Sequence, residues 1–220
     1  KIRICEEDLI MIKNEKVIFY SRIFLFIAAF TGVYLEITKR GGLGMLLYYT
    51  VLSNLLVVLF TGYLLLKMRS GGDSWQSPGI LRLKGGVTMS IMITCVIYHF
   101  MLAPLTTDFY RLENFLCHYI VPLWFLADTI IFDKSRQYKL VDPMLWTSLP
   151  LLYMIFALLN GFVLKMDVPN AKDSPFPYFF LNATKHGWGF VFKWAATIFV
   201  AYMVSGYLFY LVKSIKKSKK

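Results

Sequence analysis

Long, uninterrupted apolar stretches alternate along this chain with short polar segments that contain glycine, proline and charged residues. Six of these stretches reach the roughly 20 mostly apolar residues that an α-helix needs to cross a bilayer. They do not show the alternation with period two that is typical of a membrane β-barrel. The pattern therefore predicts an all-α, polytopic membrane protein whose six helices cover 17–38, 43–66, 86–104, 115–132, 145–164 and 187–212.

The composition supports a membrane protein. Apolar residues make up 57% of the chain and charged residues only 17%, whereas soluble domains carry about 25% charged residues. Such a chain needs lipid around it, with its backbone hydrogen bonds made inside helices. We predict a cytoplasmic N-terminal segment at 1–16, a six-helix transmembrane domain at 17–212 and a basic tail at 213–220.

The formal net charge of +11 does not indicate nucleic-acid binding, because the basic residues lie between the apolar stretches. In such positions Lys and Arg set the orientation of a membrane protein. Of the 24 Lys and Arg residues, 16 lie on the side of the two termini, six lie on the other side and two lie within helices. This distribution predicts that both termini are cytoplasmic and that the protein is a multi-pass protein of the plasma membrane.

Few residues suggest a redox or metal function. The three cysteines, Cys5, Cys95 and Cys117, form neither a CxxC pair nor a zinc-binding spacing. The sequence motifs of the common serine hydrolases and zinc proteases are also missing from the chain. No metal, cofactor or nucleic-acid partner is predicted, and the expected partners are the bilayer and a membrane lipid substrate.

Polar residues inside predicted helices are costly and often mark a function. Thr50, His99, His118 and Lys193 come from four different helices. Counting along the helices places all four roughly 5–12 Å below the outer boundary of the membrane. Asn54 lies one turn further along the helix that carries Thr50. The shared depth predicts a polar pocket that opens toward the outer leaflet.

Each of these residues also has an ordinary structural explanation. A threonine in a membrane helix often bonds its own backbone, and an asparagine often links two helices. The two histidines lie near enough to the interface to be solvated, and Lys193 could extend toward the headgroups.

Two further charged residues, Arg22 and Asp128, lie in the inner half of the membrane. We interpret them as a structural ion pair rather than as a proton relay, because each charge needs a partner in a medium of low dielectric constant.

The outer pocket has the residue types of a nucleophilic hydrolase. A hydroxyl nucleophile needs a base within hydrogen-bonding reach, and histidine titrates near neutral pH. Thr50 and His118 provide these two groups at matching depth. Asn54, His99 and Lys193 are the candidates to bind the oxyanion or the substrate.

Three segments of the chain are distinctive: YYTVLSNL at 48–55, CHYIVP at 117–122 and PFPYFF at 175–180. They resemble segments of the androgen-induced family of membrane hydrolases, which includes the androgen-dependent TFPI-regulating protein. A bacterial six-helix branch of this family is similar over nearly the whole chain. The resemblance implies that Thr50, in the Thr-x-x-x-Asn pattern, and His118 hydrolyse fatty acid esters of hydroxy fatty acids. Tyr119 stands where the family has a threonine after the histidine.

The sequence thus predicts an intramembrane lipid-ester hydrolase with a threonine nucleophile and a histidine base. Two alternatives stay open. One is a small transporter or channel that uses Arg22, Asp128 and the histidines as a relay. The other is a non-catalytic membrane interaction protein.

Overall fold

A computed structural model describes residues 14–171 and 174–215, which form helices and connecting segments without a β-strand. The prediction of an all-α protein with six helices able to span a membrane is confirmed. Most of the predicted N-terminal segment and basic tail lies outside the described residues. The six long helices are α1 (Glu15–Arg40), α2 (Tyr49–Arg69), α3 (Pro78–Leu105), α4 (Leu112–Phe132), α5 (Asp142–Leu164) and α6 (Trp188–Ser214).

The second helix begins later than the sequence predicted. Residues Gly42–Leu47 form a separate 3₁₀ helix, and Tyr48 is extended, with φ −89° and ψ 134°. Glycine is a poor helix former, which explains why the glycine-containing stretch does not continue into the α-helix. Thr50 is consequently the second residue of α2 rather than the eighth residue of a longer helix. Its backbone N–H belongs to the helix N-terminus, where amides lack a partner within the helix.

The third helix begins at Pro78, before the predicted start at Gly86. Proline is favoured in the first turn, because its missing N–H would have no partner within the helix there. The predicted range of 86–104 left Lys84 outside the helix, whereas the structure places Lys84 within α3 and fully buried.

Pro122 lies within α4, in a position where a proline disturbs a regular helix. The structure shows a π-helical turn at Leu116–Ile120, directly before this proline. A proline ring clashes with the carbonyl four residues earlier in a regular α-helix, and a wider turn relieves that clash. His118 lies within this turn, so the turn sets where its imidazole points.

The tightest packing joins the first four long helices. Their shared apolar cluster contains Leu25, Ala29, Val57, Val58, Val87, Ile91, Val121 and Phe125. The last two helices pack around this core, and smaller shares of α5 and α6 are buried than of the other four. Trp146 of α5 fits against Gly85 and Gly86 of α3, where added Cβ atoms would lie 2.5 and 3.0 Å from its ring.

The connecting segments meet at two opposite ends of the bundle. At one end, the backbone N–H of Arg136 donates to the carbonyl of Lys213 over 2.8 Å. At the other end, the side chain of Asn170 donates to the carbonyl of Arg40 over 3.1 Å. The first end is the one that the basic residues predict to be cytoplasmic, and this orientation stays a prediction.

Gly161 allows the segment after α5 to pack against that helix. A Cβ added at this position would lie 2.0 Å from the ring of Phe176, which is itself buried. We expect Gly161→Ala to lower the stability by at least the roughly 1–3 kcal/mol typical of overpacking. Gly189→Ala in α6 is the matched control, because an added Cβ there meets nothing within 4 Å. Thermal unfolding of the two purified variants in detergent tests this expectation, and equal midpoints would contradict it.

Candidate active site

Thr50 and His118 meet at the boundary between α2 and α4. The Thr50 hydroxyl lies 3.3 Å from Nε2 of His118. The first residue comes from the first turn of its helix and the second from the π turn. The two residues singled out from the sequence as nucleophile and base are thus within hydrogen-bonding distance.

The second ring nitrogen of His118 fixes the direction of this hydrogen bond. Nδ1 lies 3.0 Å from the backbone carbonyl of Asn114. A carbonyl only accepts, so Nδ1 carries the proton and Nε2 of the neutral imidazole is an acceptor. The Thr50 hydroxyl therefore donates to Nε2, which is the arrangement of a hydroxyl nucleophile and its base. The same carbonyl orients the base, as a third group does in hydrolase triads.

An aromatic ring holds the imidazole from the side. Tyr98 of α3 stacks on His118, with ring centroids 3.7 Å apart and an angle of 23° between the planes. Both side chains are buried. Because the ring is stacked on one face and hydrogen-bonded at Nδ1, its orientation toward Thr50 is fixed before any substrate binds.

Tyr178 brings a phenol to the same place from the segment between α5 and α6. Its hydroxyl accepts from the backbone N–H of Thr50 over 3.4 Å. Burial raises the pKa of Tyr178, so its hydroxyl stays protonated and keeps a hydrogen to donate. A phenol hydrogen is the kind of donor that stabilises an oxyanion, and the positive end of the α2 dipole favours negative charge at the same place. Our site prediction did not include Tyr178, and its only signal was the family-like segment at 175–180.

Asn54 has a positioning role. Its amide nitrogen donates to the carbonyl of Thr50 over 2.8 Å and to the carbonyl of Cys117 over 3.0 Å. These bonds tie the first turn of α2 to the residue before His118. Both amide hydrogens are used in this way, which leaves none for an oxyanion.

The structure does not bring His99 and Lys193 to Thr50. His99 is exposed on α3, with Nδ1 3.3 Å from the Tyr119 hydroxyl, and Lys193 is exposed on α6. Depth in the membrane does not determine the side of a helix, because successive residues are rotated by about 100°. Tyr98, which directly precedes His99, is the residue of α3 that contacts His118.

Thr50 also forms part of the wall of a partly open apolar cavity of about 100 Å³. Residues of α2, α3, α5, α6 and the segment around Tyr178 line it. The polar groups near Thr50 include the hydroxyls of Tyr178 and Tyr153, and the rest of the wall is largely aliphatic and aromatic. A mostly apolar cavity with a few converging polar groups is typical of a small-molecule or lipid site.

A second polar region lies near the opposite ends of the same helices. Nε of Arg22 lies 3.1 Å from Asp128, as the predicted ion pair requires. The structure adds Lys84, whose Nζ contacts Asp128 and lies 2.7 Å from Asp133. Lys213 donates to the backbone carbonyl of Asp133 over 2.7 Å. We call these five buried residues the inner charge cluster.

The apolar cluster of the first four helices lies between the two polar regions. On α2, Val57 and Val58 follow Thr50, and on α4, Val121 and Phe125 separate His118 from the aspartates. On α3, Val87 and Ile91 lie between Lys84 and Tyr98, together with buried hydroxyls such as those of Thr88 and Thr94, which bond neighbouring helices. Apolar residues on three helices therefore separate the charged side chains of the inner charge cluster from Thr50 and His118.

Comparison of the chain with known families, curated proteins and solved structures finds no match. The resemblance to the androgen-induced family accordingly stays a prediction. The structure itself defines the kind of site. A threonine hydroxyl lies next to a neutral histidine, beside an apolar cavity in a bundle of helices able to span a membrane.

Proposed function

We propose that this protein is an intramembrane lipid-ester hydrolase in which Thr50 is the nucleophile and His118 the general base. The observation that carries the proposal is the 3.3 Å approach of the Thr50 hydroxyl to Nε2 of His118. The hydrogen bond from Nδ1 to Asn114 gives Nε2 the acceptor role that this chemistry needs.

The reaction proceeds in two halves. In the first, Oγ1 of Thr50 attacks the ester carbonyl carbon while Nε2 of His118 takes the hydroxyl proton. The tetrahedral intermediate then releases the alcohol, which receives that proton, and leaves an acyl group on Thr50. In the second half, His118 takes a proton from water and the resulting hydroxide attacks the acyl carbon. The intermediate then breaks its bond to Oγ1 of Thr50 and releases the carboxylic acid, while His118 returns the proton to Oγ1. The phenol of Tyr178, which lies beside the backbone N–H of Thr50, is the donor that we assign to both oxyanions.

The surroundings of the nucleophile favour a lipid substrate. The cavity beside Thr50 is largely apolar and lies within the membrane-spanning part of the bundle. The family resemblance of the segments around Thr50 and His118 suggests a fatty acid ester of a hydroxy fatty acid. Apolar burial of both chains would supply binding energy, while the ester carbonyl lies at the polar end of the site.

A transporter or channel with a charge relay is the second candidate. A relay needs polar groups that connect the two sides of the membrane. The apolar cluster between Thr50 and the inner charge cluster favours the hydrolase over such a relay. A non-catalytic interaction protein is the third candidate, and the oriented Thr50–His118 pair favours the hydrolase over it.

The proposed activity can be tested on purified protein in detergent or liposomes. We expect hydrolysis of a branched fatty acid ester, and labelling of the protein by a lipophilic fluorophosphonate. Mass spectrometry should locate the label on Thr50. If the protein neither hydrolyses lipid esters nor reacts with the probe, the transporter or interaction alternative is favoured instead.

Tyr178→Phe tests the oxyanion donors, because it removes the hydroxyl and keeps the ring. We expect kcat to fall by about 10²-fold, the loss typical for one oxyanion donor, with little change in KM. Tyr49→Phe is the matched control, since Tyr49 lines the same cavity but its hydroxyl contacts Ser90 at 2.7 Å. An unchanged kcat in Tyr178→Phe would show that the phenol only caps α2.

A further inference from the structure

The cavity beside Thr50 lies between the core of the bundle and the two peripheral helices, α5 and α6. Leu151 and Met154 line it from α5, and Ala195, Ile198 and Phe199 line it from α6. On both helices the spacing is three or four residues, so one face of each helix is turned toward the cavity.

The two helices are tied together on either side of this region. On the inner side, the hydroxyl of Tyr202 donates to the carbonyl of Trp146 over 3.0 Å. On the outer side, Phe162 stacks on Trp188 with ring centroids 5.4 Å apart. Between these two contacts, both helices border the cavity. The pair thus frames an opening in the side of the bundle.

Two residues show that the opening reaches the surface. Leu151 and Phe199 line the cavity, yet 38% and 42% of their surfaces are exposed. Both lie near the middle of their membrane spans, where the surroundings of the bundle are lipid tails rather than water. The mouth between α5 and α6 therefore opens sideways into the hydrocarbon region.

We infer that a lipid acyl chain enters sideways between α5 and α6 and binds in this cavity with its ester carbonyl at Thr50. The hydrolysis of the bound ester rests on the proposed function, whereas the binding of the acyl chain rests only on the cavity. Its apolar wall, its lateral mouth and its place within the membrane spans fit an acyl chain. The polar hydroxyls at Thr50 and Tyr178 fit the carbonyl end of the same molecule.

Neighbouring alanines on α6 provide a matched pair of variants. Ala195 lines the cavity and is partly buried, whereas Ala196 is exposed on the outer surface of the helix. We expect Ala195→Phe to narrow the mouth and to lower kcat/KM for a long-chain ester at least tenfold. The same variant should keep most of its activity on a water-soluble butyryl ester, which needs little of the cavity. Ala196→Phe should leave both activities unchanged.

A binding measurement separates this inference from the hydrolase proposal. Palmitic acid with a diazirine near its methyl end, photolysed with the intact protein in liposomes, should crosslink to Leu151, Met154 or Phe199. Ala195→Phe should reduce this labelling and Ala196→Phe should not. Cavity labelling without hydrolysis by the parent would retain the acyl-chain site and reject the hydrolase. Two results would overturn the acyl-chain site. One is ester hydrolysis by a parent protein whose crosslinks lie outside the cavity, and the other is an equal loss of short-chain and long-chain turnover in Ala195→Phe.

Discussion

Replacing Thr50 with valine is expected to abolish ester hydrolysis while the protein stays folded and inserted. Valine keeps the shape of the side chain but removes the hydroxyl that lies 3.3 Å from His118. Loss of a hydrolase nucleophile lowers kcat by several orders of magnitude, and we expect at least a 10³-fold loss here. Thr50→Ser should retain measurable activity, because the hydroxyl survives.

The control for this variant lies on the same helix. The hydroxyl of Thr61 is buried and makes no hydrogen bond within the described residues. Thr61→Val should leave activity unchanged and stability equal or slightly higher, since an unsatisfied polar group is removed. Turnover of a lipid ester, with size-exclusion profiles as a check on folding, compares the two variants. Full turnover by Thr50→Val would rule out the threonine mechanism.

His118 completes this test because the two residues act as a unit. We expect His118→Gln to lose nearly as much activity as Thr50→Val, and the double variant to lose little more. Independent, multiplicative losses would show that the 3.3 Å contact between the two side chains is not the catalytic one.

Replacing Lys84 with methionine is expected to have the largest effect on stability. The Lys84 ammonium contacts two buried carboxylates, and its side chain has no exposed surface. Removal of one partner from a buried ion pair costs about 3–5 kcal/mol, because the opposite charge is left in a medium of low dielectric constant. We therefore expect a strong loss of monodisperse protein and a lower midpoint of thermal unfolding in detergent.

An exposed ion pair supplies the comparison. Nζ of Lys134 lies 3.2 Å from Asp73, and 40% and 71% of the two side chains are exposed. Lys134→Met should cost less than about 1 kcal/mol. Combining Lys84→Met with Asp133→Asn should restore part of the lost stability, since it removes one charge of each sign. Normal yield of Lys84→Met with selective loss of turnover would instead give the inner charge cluster a functional role.

The fold could be predicted from the sequence because a membrane helix is recognised by the length and apolarity of a single stretch of residues. Helix ends were less certain, since a 3₁₀ segment and an α-helix have similar composition. The late start of α2 at Tyr49 moved Thr50 to a helix N-terminus, and the early start of α3 at Pro78 moved Lys84 into the bundle. Both shifts change the local chemistry, although neither changes the number of spans.

The candidate site was predictable in part for a related reason. Counting residues gives an approximate depth, which grouped Thr50 with His118, and the two side chains do meet, although Thr50 is the second residue of its helix rather than the eighth. Depth gives no information on which face of a helix a residue occupies, and for this reason His99 and Lys193 were grouped with them. Tyr178 lies outside the predicted helices, so its position depended on how a connecting segment folds back over α2.

The π turn at Leu116–Ile120 determines the rotational register between the two halves of α4. A π turn amounts to one residue inserted into an α-helix, and one residue corresponds to a rotation of about 100°. His118, within the turn, meets Thr50, while Asp128, further along the same helix, meets Arg22 and Lys84. In a regular helix, the direction of His118 would fix the direction of Asp128. The extra residue changes this relation. The end of α4 that carries His118 and the end that carries Asp128 can thereby face different partners.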